Sequence, residues 1–226
     1  MQMGGGSNPL SGTSFNFSEV FVMTSALYQD DLPDDIKFNG SVAVDTETLG
    51  LNYKRDRLCL VQLCSADGEV HIVQINKDDP AKAKNLKKLF EDESVLKIFH
   101  FARFDISMIK QWMNANVFPI YCTKIVSKLV RTYTDKHGLK TLCHEILHTD
   151  ISKQEQSSYW GREQLTPEQL KYAAGDVIHL HKIKNELDKM LEREGKTQLA
   201  QNCFSVLRVV SQLELNNFSP EEIFSH

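Results

Sequence analysis

The sequence has no run of 18 or more apolar residues and no secretory signal, which argues against a helical membrane span and against export. Cysteine is sparse. The five present, Cys59, Cys64, Cys122, Cys143 and Cys203, are an odd, scattered set without a Cys-x-x-Cys spacing. That arrangement suits neither a disulfide framework nor a zinc knot and fits reduced thiols in a cytoplasmic protein. An excess of positive charge is also missing, since 26 basic residues face 30 acidic ones for a net charge of -4. Any polyanion must therefore be met by a local basic patch. No internal repeat is visible, and no low-complexity tract follows the Gly-rich start.

What is there suffices for one core: 226 residues, 41% of them apolar. Residues 1–22 read as a disordered leader or extension, and residues 23–226 as a single domain with helices at its C-terminal side. Val42 to Glu47, Leu58 to Cys64 and Val70 to Ile75 read as strands, the last two joined by the turn signal Ala66-Asp67-Gly68. Ala81 to Glu91 follows as a helix, then a buried strand Val95 to Phe99, a helix from Arg103 to Asn114, and a short strand at Phe118 to Tyr121. Thr166-Pro167-Glu168-Gln169 has the pattern of a capping box, and the helix it opens should run to about Leu191. A meander followed by strand-helix-strand units implies an α/β fold with a mixed sheet.

Chemistry enters at the end of the first strand. In Val42-Ala43-Val44-Asp45-Thr46-Glu47, strand alternation puts both carboxylates on one face, where like charges repel unless a cation holds them. Tyr172 and Asp176 lie one turn apart on the capped helix, at the border of its apolar arc. Asp105 follows the buried strand, in the first turn of the next helix. Lys124, Lys128 and Arg131 recur at helical spacing as a cationic stripe, with Lys136, His137 and Lys140 behind them. Phe104 reads as core. His144-Glu145-Ile146-Leu147-His148 matches the helical zinc-peptidase signature, but the apolar face formed by Leu139, Leu142, Cys143, Ile146 and Leu147 leaves both histidines on the wet side. The position for a third histidine ligand holds Gln154.

Asp45, Glu47, Asp105, Tyr172 and Asp176 together resemble the ordered D-x-E, D, Y-x-x-x-D set of the DEDDy 3′→5′ exonucleases, ribonuclease D above all. Asp45-Thr46-Glu47-Thr48, Ile98-Phe99-His100 before Arg103-Phe104-Asp105, Cys122-Thr123-Lys124, Tyr133 to Leu139, Lys153-Gln154 with Ser157-Ser158, Trp160, and Tyr172-Ala173-Ala174 extend the resemblance. It implies a ribonuclease H-like mixed five-stranded sheet flanked by helices. It further implies an enzyme that hydrolyses nucleotides from RNA 3′ ends with two Mg2+ or Mn2+ ions, Asp45 bridging them, Glu47 and Asp176 on one, and Asp105 on the other. Tyr172 would then orient the attacking water. Thr48, Leu49 and His100 would contact the terminal nucleotide, and Lys124, Lys128 and Arg131 the phosphates. The expected partner is nucleic acid with a single-stranded 3′ end, such as a transfer-RNA precursor, with no membrane involved. Two departures stand out: Tyr159 replaces the usual Asp of a Ser-Asp-Trp, and no room follows for a separate C-terminal nucleic-acid-binding domain. A DNA 3′→5′ exonuclease and a nucleic-acid-binding protein without catalysis are the rival readings.

Overall fold

The computed structural model describes residues 25–151, 155 and 157–225; the leader, Lys153-Gln154 and the Met23 boundary lie outside them. Six strands form one mixed sheet: β1 (Ser25–Gln29), β2 (Ser41–Thr48), β3 (Leu58–Ser65), β4 (Val70–Gln74), β5 (Leu96–Phe99) and β6 (Ile120–Cys122), in the order β1-β4-β3-β2-β5-β6. β2, β3 and β4 are the expected antiparallel meander; Gly68, at φ 95°, makes the turn between the last two. β5 and β6 continue in parallel from β2, and β1 pairs in parallel with β4 at the far edge.

The count corrects the five-stranded expectation. β1 reads Ser-Ala-Leu-Tyr-Gln and alternates between exposed and half-buried positions, so it lacks the apolar run that marked the other strands. β3 shows the opposite. All but its last residue are buried, because helices cover the sheet on both faces.

One face is covered by α1 (Lys84–Glu91) and α2 (Ala102–Met113), the other by α3 (Thr123–Val130), α4 (Leu139–Leu147), α5 (Pro167–Ile178) and α6 (Leu180–Arg193). α7 (Thr197–Leu215) straddles the two, with Leu207 in one apolar cluster and Ala200 in the other, and α8 (Pro220–Phe224) follows it. The helix expected to run unbroken to Leu191 is two, parted at His179. α5 lies across β2, β3 and β4, whereas α6 packs on α3, α4 and β5, so the axis must turn between them. Among the described residues, no helix is long and apolar enough to cross a membrane.

Candidate active site

Strand alternation sets the first two acids. Ala43 belongs to the apolar cluster beneath α5, and Asp45 and Glu47 continue that face, while Thr46 between them turns to the α2 side. α5 supplies the third acid. Thr166 accepts from the Gln169 amide at 3.2 Å and the Gln169 side chain accepts from the Thr166 amide at 3.0 Å, so the capping box forms as read. Ala173, Ala174 and Val177 bury the helix on the sheet and bring Asp176 over β2. One carboxylate oxygen each from Asp45, Glu47 and Asp176 lies within 4.8 Å of the others, the only such group of metal-ligating residues among those described.

Asp105 stands behind this trio. It is 3% exposed and accepts a 2.7 Å hydrogen bond from the Thr46 hydroxyl. Sequence reasoning thus chose four acids, of which the structure brings three into one cluster and sets the fourth against the same strand from the other side.

Gathered carboxylates in a poorly hydrated site disfavour ionisation. Asp45 is pushed well above the ordinary carboxylate range, by burial first and then by Asp105, Asp176 and Glu47. Glu47 is raised to about 9 by burial and by Asp176 and Asp105, and Asp105 to about 7, burial outweighing the Thr46 bond. Tyr172 is raised too, by burial and then by Asp176, to which its hydroxyl is bonded; it stays a proton donor and is no base. An all-oxygen, charge-crowded donor set of this kind suits a hard divalent cation and offers a soft metal nothing.

The trio and Tyr172 open on a cleft of 740 Å3. Thr48, Leu49, His100 and Lys124 line it. The His100 ring donates from Nδ1 to the Thr123 hydroxyl at 2.9 Å, because that hydroxyl spends its own hydrogen on the Phe99 carbonyl. Burial holds His100 neutral, down to about 3, and its Nε2 has no partner among the described residues.

The cationic stripe needs correcting. Lys128 is exposed on α3 outside the cleft lining, and Arg131 is 1% exposed, past the end of α3. Arg131 is ion-paired to Glu145 and donates to the Ser127 hydroxyl and the Lys136 carbonyl. Helical spacing alone did not reveal that the chain leaves the helix at that residue. His137 is bonded to Ser127 at 2.9 Å, while Lys140 does border the cleft. Phe104 packs on Tyr53 and also faces the cleft, so it is more than core.

Sequence reasoning missed Phe101. It is 45% exposed at φ 74°, a conformation rare for a bulky residue, and Lys124 Nζ lies 4.1 Å from its ring centroid. Its place directly after a buried strand, at the lip where sites form in α/β sheets, was the available signal.

The zinc-peptidase pattern dissolves. His148 caps α4 at φ 53°, His144 pairs with Asp150, and Glu145 serves Arg131. Gln154 lies outside the described residues.

Residues 23–192 match the model of a 3′-5′ exonuclease family. The chain belongs to that 3′-5′ exonuclease family. Its mixed sheet flanked by helices is the ribonuclease H-like architecture, and the carboxylate cluster is of a kind that could hold a divalent cation. Among solved structures it is similar to Brucella melitensis NrnC bound to pGG, at 48% identity and a TM-score of 0.86, over 90% of this chain and 99% of that one. The same Brucella protein with bound Mg2+ matches at 47% identity and a TM-score of 0.85, over 90% of this chain and all of that one, 100%. Ribonuclease D of Nitrobacter hamburgensis is 34% identical over 160 residues, 69% of this chain and 40% of that protein. The chain thus spans about two fifths of the curated relatives' length. Where ribonuclease D gave the expectation of a Ser-Asp-Trp, Tyr159 is 61% exposed and its carbonyl accepts from Gln169 of the capping box.

Proposed function

We propose that this exonuclease removes nucleotides from the 3′ ends of RNA, including oligonucleotides as short as the pGG bound by its Brucella relative. The observation that carries the reading is the convergence of Asp45, Glu47 and Asp176 from a strand and a helix at the floor of a cleft sized for a nucleotide or two.

Asp45, Glu47 and Asp176 would hold two Mg2+ or Mn2+ ions, with Asp105 contributing from behind. Those cations supply a more acidic water, a neutralised scissile phosphate and a stabilised leaving oxygen. The chain's own part is placement. Tyr172 keeps its proton and orients the attacking water through its hydroxyl. Thr48, Leu49 and His100 meet the terminal nucleotide, and Lys124, with Phe101 beside it, meets phosphate. The five thiols are free and four are buried, which supports a cytoplasmic protein. Residues 23–226 serve as one catalytic unit, since α7 packs on α2 directly behind the site. A structured precursor such as a transfer-RNA 3′ end is the natural cellular substrate on this reading.

Incubation of 5′-labelled RNAs from two nucleotides upward with Mg2+, beside matched DNA, tests this. Stepwise loss from the 3′ end of RNA is expected, with none in EDTA and none from Asp45→Asn, which keeps its fold because it loses a charge and no packing atom. RNA left intact by folded wild-type protein defeats the proposal. Faster loss from DNA leaves the exonuclease standing and defeats its assignment to RNA.

A further inference from the structure

One wall of the cleft, Thr48 to Leu51, is the start of a loop that runs to Arg57. The loop is knit within itself. The Asp56 carboxylate accepts from the Asn52 amide, the Asp56 amide donates to the Asn52 carbonyl, Leu49 donates to the Arg57 carbonyl, and the Asp56 carboxylate packs so closely on Gly50 that a side chain there would displace it. Arg57 ties the base of the loop to the Gly161 carbonyl, and at its tip Tyr53 and Lys54 reach the end of α7.

The Tyr53 hydroxyl donates to Glu214 Oε2 at 3.2 Å, and Lys54 Nζ donates to the Asn217 side chain at 3.1 Å. Glu214 turns its other oxygen to Arg103, whose Nε donates at 2.6 Å and whose Nη2 adds a second contact. Arg103 belongs to the first turn of α2, beside Phe104 and two residues before Asp105. A single carboxylate, only 11% exposed, thus joins the cleft loop, the helix that carries Asp105 and α7. Trp112 adds a 3.0 Å bond to the Tyr53 carbonyl, and the Tyr53 ring rests on Phe104, which borders the cleft. The matched family segment ends at residue 192, so Glu214 lies outside it.

We propose that Tyr53, Arg103 and Glu214 are positioning residues for the exonuclease, with Glu214 fixing the cleft wall against which substrate is held. This rests on the exonuclease reading. Because the clamp touches the wall and none of the trio Asp45, Glu47 and Asp176, it sets substrate affinity more than the rate of the chemical step.

The experiment is steady-state kinetics on a short RNA, beside amide hydrogen exchange of the full chain. Glu214→Ala and Tyr53→Phe are each expected to raise KM about tenfold with kcat within about twofold, the double variant being no worse than the worse single one. Glu214→Gln, which retains one acceptor, should recover part of the loss. Amides of residues 49–57 should exchange faster in both single variants while those of β2, β3 and β4 keep their protection. Loop exchange unchanged from wild type overturns the clamp. Faster exchange with KM unmoved, or kcat falling in proportion to folded protein, overturns its role in binding while leaving the exonuclease reading intact. Inactive wild-type protein overturns that reading and this one together.

Discussion

Thr46 holds the Asp105 carboxylate by a 2.7 Å hydrogen bond from the reverse side of the strand that carries Asp45 and Glu47. Both partners are buried, so the bond fixes where one acid lies relative to the other two. Thr46→Val keeps the shape and removes the donor. Leaving a buried carboxylate oxygen without it costs about 1–3 kcal/mol and raises Asp105 further above the value of about 7 that burial gives it. The expected outcome is a Mg2+ midpoint for hydrolysis shifted several-fold upward. Thr46→Ser should restore it; an unchanged midpoint would make the bond incidental.

The raised acids tie stability to pH. Glu47 ionises at an ordinary 4.5 when unfolded and at about 9 in the fold, so between those values the native chain binds the extra proton. Without a divalent ion, the contribution of Glu47 to stability is therefore full below about pH 4.5 and is lost as pH rises towards 9, and Asp45 acts in the same direction. A bound cation must displace these protons. Its stabilising effect should grow across the same window. Urea unfolding in EDTA and in Mg2+ at several pH values measures both slopes, and parallel curves would contradict the charge crowding.

Tyr172 is held in place by its ring, which lies 6.0 Å from that of the buried Trp160, so Tyr172→Phe removes the hydroxyl and little packing. A tenfold or greater fall in kcat, of the order of about 10–100, is expected with the Mg2+ midpoint unmoved. Equal loss of cation affinity would mean that the hydroxyl serves the ligands and not the water.

Arg131 and Lys124 should separate cleanly. Arg131→Ala opens the buried contacts to Ser127 and Lys136, a loss of about 1–3 kcal/mol in stability that thermal unfolding will read. RNA affinity per folded molecule should stay the same. Lys124→Ala should leave stability within about 0.5 kcal/mol, weaken RNA binding and lower the salt slope of binding by about one. The reverse pattern would restore Arg131 to the phosphate path.

The site was legible where it follows from local periodicity. A period of two put Asp45 and Glu47 together, a period near four put Tyr172 with Asp176, and the Thr166 cap located their helix. What stayed hidden depends on distant packing. β1 has no core-facing stripe of its own and exists because β4 offers it an edge. The break at His179 has no glycine or proline to announce it; it answers to which strands each helix must cover. Arg131 looked like the next step of a stripe until the chain left the helix and turned it inward, and Glu214 carried no local mark at all.

The acids that line this cleft come from β2 and from the last turn of α5, with Asp105 of the first turn of α2 behind them. A growing chain that has made the meander holds two of them in a shallow lip with nothing opposite. Only when α5 settles across β2, β3 and β4 does Asp176 come within reach. The three-acid cluster is thus incomplete in any product of interrupted synthesis or clipping that ends before that helix.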